Sequence, residues 1–405
     1  MTPGVLEDVR VLEIGQGISS CFCGKLFADM GAEVIKVEPP DAGDELRAHG
    51  PFPGDVPHPE RSGLFLYLNT SKLGVTLDVT GPTGRGIFRK LLDSADVLVE
   101  NHAPGTLASW GLDIPALLDA FPRLVVTSVT PYGQSGPWRD YRGYDINVSA
   151  LSGVAAGIGS PDREPLALPL AQTEYQGAIA GAVATLFALF ARDMTGRGQH
   201  VDVSSADVIA TMHVAHSKLP PVLYRGARHA RTGHRDPEMP YPQTTLPCKD
   251  GYMCLGAPQI QQWARFTEAI GNPGWVQNPR YRKRRAMAQE YPDEVDALLA
   301  PWLMARTKEE IFALCREHHV PFAPIRTMDE VASDPHLAER GFFVAADHPA
   351  AGPLTYPGAP FRLSAAGWAI RRPAPLHGEH NEEVYCKRLG YSRDDLCALR
   401  RAEVV

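Results

Sequence analysis

Residues Leu170 to Gly181 read LAQTEYQGAIAG, and the apolar run AVATLFALFA follows directly, so Glu174 is a single carboxylate among small and apolar neighbours. A carboxylate placed at such a helix start loses solvent and gains backbone donors, which are the conditions of a nucleophile. They are also the conditions of a helix-starting charge favoured by the dipole, worth about 0.3–1 kcal/mol. The local residues leave both roles open.

Two further stretches could carry chemistry. In ENHAPGTLASWGLD, Asn101 and His102 precede the turn Pro104–Gly105, which can present side chains and backbone donors at a sheet edge or serve as a plain strand-to-helix loop. TPYGQSGPWRDYRGYDINVSALSG is too elaborate for a tight connection and groups Arg142, Tyr144 and Asp145, as functional loops do. By contrast, Gly196 and Gly198 in TGRGQ have the look of a helix C-cap and turn. No metal site is expected: the 14 histidines include no H-E-x-x-H, and His377 and His380 lie in a polar tail. A Gly-x-Ser-x-Gly elbow is also missing. The seven cysteines form no C-x-x-C pair, Cys21 and Cys23 flanking one residue, and read as reduced thiols.

The elements that must position these residues alternate. VRVLEIG is a β-rich run, CFCGKLFADMGA has helical spacing, and EVIKVEPP returns to strand. The alternation continues through GVTLDV, RGIFRKLLDSA, DVLVEN, ASWGLDIPALLDAF and LVVTSVTPYG. This predicts a doubly wound parallel sheet of Rossmann-like α/β class, with ligands at the carboxyl ends of its strands. The loop after the first strand, GQGISS, is not G-x-G-x-x-G, and no Walker lysine occurs, so an ordinary NAD site or P-loop is not expected.

From about Leu219, PPVLYRGARHARTGHRDPEMPYPQ reads as a connecting stretch rich in Pro, Gly, Arg and His. The hairpin-like TTLPCKDGYMCLGA and the helical QQWARFTEAIG, EVDALLAPWLMA and KEEIFALCREHH then predict a smaller α+β domain. The expected division is a large domain over 1–218, linker and small domain over 219–334, and a part over 335–405 that returns to the large domain.

At 405 residues, 44% hydrophobic and 21% charged, the chain can build two domains with a large core. Its net charge of -7, with no dense basic stripe, argues against nucleic acid and for small-molecule partners. We find no apolar run of the roughly 18–20 residues needed to span a membrane and no signal-peptide pattern. A cytoplasmic, soluble protein is expected.

Taken in order, VRVLEIG, GAEVIKVEPPDAGDELR, LNTSKLGVTLDV, DVLVENHAPGTLASWGLD, TPYGQSGPWRDYRGYDINVSALSG, the segment Gln172 to Gly177, TGRGQHVDVS and YPGAPFRLS closely resemble the family III CoA-transferases. That group includes formyl-CoA transferase, crotonobetainyl-CoA transferase and alpha-methylacyl-CoA racemase. The resemblance implies an intertwined dimer, homodimer or heteromer with a related subunit. Each chain would have a Rossmann-like CoA-binding domain and a small middle domain. It implies acyl-CoA and a carboxylic acid as substrates, with no tightly bound cofactor. It places CoA contacts at Ile18 and Ser19, at Leu77, Asp78 and Thr80, at Asn101, His102 and Ala103, and at Arg142 and Tyr144. The family nucleophile is an aspartate in a segment like QADYQAG, which aligns with QTEYQGA and places Glu174 in the catalytic position.

Departures at four positions shape the expectation. Glutamate replaces the aspartate, so the position implies either a pocket re-cut for the longer side chain or a CoA-binding subunit without catalysis of its own. Pro39 and Ser109 stand where relatives carry arginines, altering the contacts to CoA phosphates or to a small anionic substrate. The racemase branch reads like GHDINYLALSG, and here Tyr144 takes the histidine's place. Tyrosine is a poor base at neutral pH, so CoA transfer is expected over 2-methylacyl-CoA racemisation.

Overall fold

A computed structural model describes residues 4–214, 219–226 and 230–405. The chain divides into two compact units, one of residues 1–155, 167–226 and 338–405, the other of 156–166 and 227–337. The boundary expected at 218/219 adjoins 215–218, outside the described residues, as are 227–229 of the connecting stretch. The described part of that stretch includes a short helix, Leu219–Arg225.

Among the described residues of the first unit, six strands make one sheet: β1 (Arg10–Glu13), β2 (Glu33–Glu38), β3 (Leu73–Thr76), β4 (Val97–Glu100), β5 (Val125–Thr130) and β6 (His200–Ser204). The order is β3-β2-β1-β4-β5-β6, with every pairing parallel. Every residue of β3, β4 and β5 is buried, as in a sheet covered on both faces by crossover helices. The order reverses between β1 and β4, and their carboxyl ends diverge there into a crevice.

Four helices fix this frame. Helix α1 (Gly17–Asp29) follows β1. Helix α2 (Pro82–Leu92) opens with proline at its first turn and turns Ile87, Phe88, Leu91 and Leu92 into the core. The 7-residue α3 (Asp145–Leu151) and the 24-residue α4 (Gln172–Thr195) carry the residues of greatest chemical interest. The buried face of α4 is a row of small residues, Gly177, Ala178, Gly181, Ala182, Thr185 and Ala188, three and four apart. It therefore approaches β5 closely. A Cβ on Gly181 would lie 2.8 Å from the Val129 methyl Cγ2, on a β-branched side chain with little freedom to turn. Gly181→Ala should lose about 1–3 kcal/mol by overpacking despite alanine's better helix propensity, seen as a lower urea midpoint.

One expectation needs correcting. Helix α4 is long and apolar enough, at a mean hydropathy of 1.4, to cross a membrane by length and composition. The sequence reading missed it because glycines, threonines and glutamines interrupt the apolar run. A buried core helix passes the same test, and this one packs on α1 and β5.

The tail returns to the sheet edge. Asp78 N–H donates to the Val404 carbonyl at 2.8 Å, and the buried Tyr385 hydroxyl donates to the Thr76 carbonyl at 2.7 Å. Helix α5 (Arg393–Arg401) adds Leu396 to the core that holds Val75, Phe88, Leu98 and Val126. The second unit has an antiparallel sheet of β7 (Gln243–Cys248), β8 (Gly251–Gly256) and β9 (Ala323–Pro324). Helices Ile260–Ala269, Pro292–Met304 and Lys308–Glu317 surround its core of Phe266, Leu299, Ile311 and Phe322.

Candidate active site

A cavity of about 940 Å³ opens at the carboxyl ends of β1 to β4. Gln16 lines it after β1, Pro39 to Asp41 after β2, Leu77 to Thr80 after β3, and Asn101 to Ala103 after β4. Six of the ten residues expected to hold CoA, namely Leu77, Asp78, Thr80, Asn101, His102 and Ala103, are thus brought together. Ile18 and Ser19 lie beside Glu174 instead, and the exposed Arg142 and Tyr144 are not among the lining residues. The sequence reading missed Gln16, Trp110 and the tail residues Arg400, Glu403 and Val405, which also line the cavity.

Asn101 acts as a clamp at the point where strand order reverses. Its Oδ1 accepts from Gln16 N–H at 3.0 Å, and its Nδ2 donates to Ser19 Oγ at 2.9 Å. The next residue is equally fixed. His102 N–H donates to the buried Glu100 carboxylate at 2.7 Å, and its ring Nε2 faces the Ile14 carbonyl at 3.1 Å, so that nitrogen carries the proton. Burial lowers the His102 pKa, leaving a neutral imidazole packed edge-on to Trp110 at 4.8 Å. At the far end, Asp78 Oδ1 accepts from Thr80 N–H and its hydroxyl at 3.0 and 2.6 Å. Ser109 supplies no charge: its hydroxyl donates to the Thr106 carbonyl at 2.7 Å.

Glu174 lies in the first turn of α4, and Asp145 of α3 is the residue that caps that turn. Thr173 N–H and hydroxyl donate to Asp145 Oδ1 at 2.8 and 2.7 Å. The carboxylate of Glu174 is therefore free of capping duty. Burial, then the charges of Asp145 and Glu45, raise its pKa to about 7, while backbone N–H groups of Ser19 and Ile18 pull the other way. Just ahead of it, Leu170 and Ala171 sit at φ 60° and 52°, a left-handed pair of non-glycine residues. Such backbone costs about 1–3 kcal/mol per residue and tends to occur at functional sites. Tyr175 packs edge-on against Phe22 at 5.0 Å, and Gln176 Oε1 accepts from His213 Nε2 at 2.9 Å.

Beneath the segment Gly15 to Cys21 lies a buried charge network. Lys36 Nζ contacts Glu13 Oε1 at 2.9 Å, Asp44 Oδ2 at 2.7 Å and the Gly15 carbonyl at 3.3 Å. Lys72 Nζ reaches Glu13 Oε2 at 2.7 Å and the Cys21 carbonyl at 2.8 Å. Asp44 Oδ1 accepts from Gly17 N–H at 3.3 Å and Leu46 N–H at 2.8 Å. The segment that presents N–H groups to Glu174 is thus held by Lys36 of β2, by Lys72 just before β3, and by Asp44 and Asn101 in the loops after β2 and β4.

A parallel α/β frame, a cavity at its switch point and a half-buried carboxylate beside it match an enzyme that handles a large nucleotide-bearing substrate without a dinucleotide motif. The chain matches CoA-transferase family III over residues 6–381, and it belongs to that family. It is 34% identical over 405 residues, all of this chain and 98% of the other, to the succinyl-CoA–D-citramalate CoA-transferase of Chloroflexus aurantiacus. With the succinyl-CoA:(R)-benzylsuccinate CoA-transferase subunit BbsE of Thauera aromatica it shares 32% identity over 95% of this chain and 94% of that one. A crystal structure of a CAIB/BAIF family protein from Brucella suis superposes with a TM-score of 0.85 at 27% identity, covering 95% and 99% of the two chains. The protein is a CoA-transferase that moves CoA between carboxylic acids.

Proposed function

We propose that Glu174 is the covalent relay of this transfer and that the cavity at the ends of β1 to β4 holds CoA. The observation that carries this reading is the carboxylate itself: half-buried, relieved of capping by Asp145, and facing N–H groups in the first turn of α1, which continues from cavity-lining Gln16. In the first step a Glu174 oxygen attacks the thioester carbonyl of the donor, and the C–S bond breaks to leave a mixed anhydride and CoA thiolate. The thiolate attacks the glutamyl carbonyl, releasing the donor acid and leaving a glutamyl-CoA thioester. An acceptor carboxylate then attacks that thioester, again expelling thiolate. Attack of this thiolate on the acceptor carbonyl yields the new acyl-CoA and restores the Glu174 carboxylate. Water must be excluded while the anhydride and thioester last.

Succinyl-CoA is the first donor to try, since the names of the Chloroflexus and Thauera relatives contain it. An exposed apolar row on α4, including Ile179, Val183, Leu186, Phe187 and Phe190, supports assembly with a second CoA-transferase chain. A second reading makes this chain the CoA-binding partner of a catalytic paralogue. It is favoured by glutamate standing at the aspartate position and by relatives named as subunits.

The test incubates the purified chain with succinyl-CoA and candidate acids, traps with hydroxylamine or borohydride, and maps the adduct by mass spectrometry. A modified Glu174 is expected. Turnover with the adduct elsewhere would remove Glu174 from the mechanism, and no CoA exchange without a partner chain would favour the second reading.

A further inference from the structure

Four carboxylates line the cavity, Asp41, Glu45, Asp78 and Glu403, a poor welcome for a polyanion such as CoA. Among the described residues that line it, Arg400 is the one fixed cation, because burial keeps His102 neutral. Arg400 is exposed near the end of α5, and its guanidinium makes no hydrogen bond or ion pair among the described residues. The acid of α5's surroundings that feels its charge, Glu382, is already paired with Arg393.

Position along the cavity tells which part of CoA reaches this arginine. The thiol must come to Glu174, whose surroundings include Ile18, Ser19 and Glu45, so the Gln16–Glu45 end of the cavity takes the thioester. Arg400 belongs to the other end, since the Val404 carbonyl on the same tail accepts from Asp78 N–H just past β3. Strand β3 is the edge of the sheet, two strands from β1, or about 10 Å at ordinary strand spacing. In CoA the group farthest from the thiol is the 3′-phosphoadenosine, and its phosphomonoester carries about −1.5 to −2 charge at pH 7.

Resting on the CoA reading of this cavity, we propose that Arg400 binds the 3′-phosphate of CoA and is the residue by which this enzyme tells CoA from dephospho-CoA. A guanidinium meets a phosphate with two parallel N–H donors, which suits a terminal monoester with three free oxygens. The contact changes binding and leaves the reacting carbonyl untouched.

The test is isothermal titration calorimetry of the purified full-length protein with free CoA and with dephospho-CoA, at fixed salt. Arg400→Ala should weaken CoA about 10-fold, the scale of a lost charged hydrogen bond, and leave dephospho-CoA within about twofold of wild type. Arg400→Lys should keep part of the preference, and the neighbouring Arg401→Ala should match wild type. If Arg400→Ala weakens both ligands equally, or neither, the 3′-phosphate assignment is wrong while the CoA site stands. If the wild-type protein binds neither ligand, the reading of the cavity itself fails and takes the inference with it.

Discussion

Glu174→Gln should lower kcat for CoA transfer by at least about 10³-fold, because the amide keeps the size and hydrogen-bond acceptor of the side chain but has no oxygen anion to attack a thioester. KM for the acyl-CoA should move far less, since the cavity contacts remain. Steady-state kinetics with a trapped-adduct control reads both numbers. A variant with more than about a tenth of wild-type kcat would refute the assignment.

The same carboxyl group predicts the pH dependence. Burial first, then Asp145 and Glu45, hold its pKa up to about 7, and only the ionised form is nucleophilic. Activity should therefore climb about tenfold per unit below pH 7 and level off above it. Stability should run in the opposite direction. Between about pH 4.5 and 7 the folded protein keeps a proton on Glu174 that the unfolded chain has lost, so this group's contribution to stability falls as pH rises through that window. Replacement by glutamine removes the charged, desolvated form. The variant should gain roughly 1–3 kcal/mol over wild type at pH 8 and nothing near pH 4, readable from urea midpoints at the two pH values.

How much of this was open to a reader of the sequence depends on the range of each interaction. Strand and helix alternation pointed to the parallel sheet, because fully buried strands such as VLVE and VVTSVT are marked by their own composition. The Asn-His-Ala turn was legible locally only as a strand-to-helix connection able to present side chains at the sheet edge, and the family resemblance singled it out for CoA. Its clamp was not: Asn101 holds Gln16 and Ser19 from more than 80 residues away. Asp145 was visible only as a member of a long loop, and that it caps α4 in place of Glu174 depends on α3 meeting α4. Arg400 carries no local signal at all, being one arginine in a charged tail whose docking beside β3 runs through a backbone bond from Val404.

One signal was present in the sequence and passed over. Lys36 interrupts the apolar run of β2, and in a parallel sheet covered on both faces an ammonium there must be buried and paired. It is, with no exposed surface, between Glu13 and Asp44, which raise its pKa far enough to overcome burial.

Lys36→Met should accordingly destabilise the protein by about 3–5 kcal/mol, the cost of leaving a buried charge without its partner. Glu13 would retain Lys72 on its other oxygen, so Asp44 bears the loss. Burial pushes the Asp44 carboxyl up, and the charge and hydrogen bond of Lys36, with the Leu46 N–H, hold it below its ordinary value. Without Lys36 that balance reverses and Asp44 takes up a proton. Function should suffer separately, because Lys36 holds the Gly15 carbonyl and Asp44 the Gly17 N–H, and a shift of roughly 1 Å in the segment between them and Glu174 can cost about 100-fold in rate. The double variant Lys36→Met with Asp44→Asn tells the two effects apart. It removes the orphaned charge yet keeps an oxygen for Gly17, so its urea midpoint should recover most of the loss while kcat stays depressed for want of the Gly15 anchor. Wild-type stability in the single variant would show that the buried lysine is no structural link, and full kcat in the double variant would show that the segment needs no anchor at Gly15.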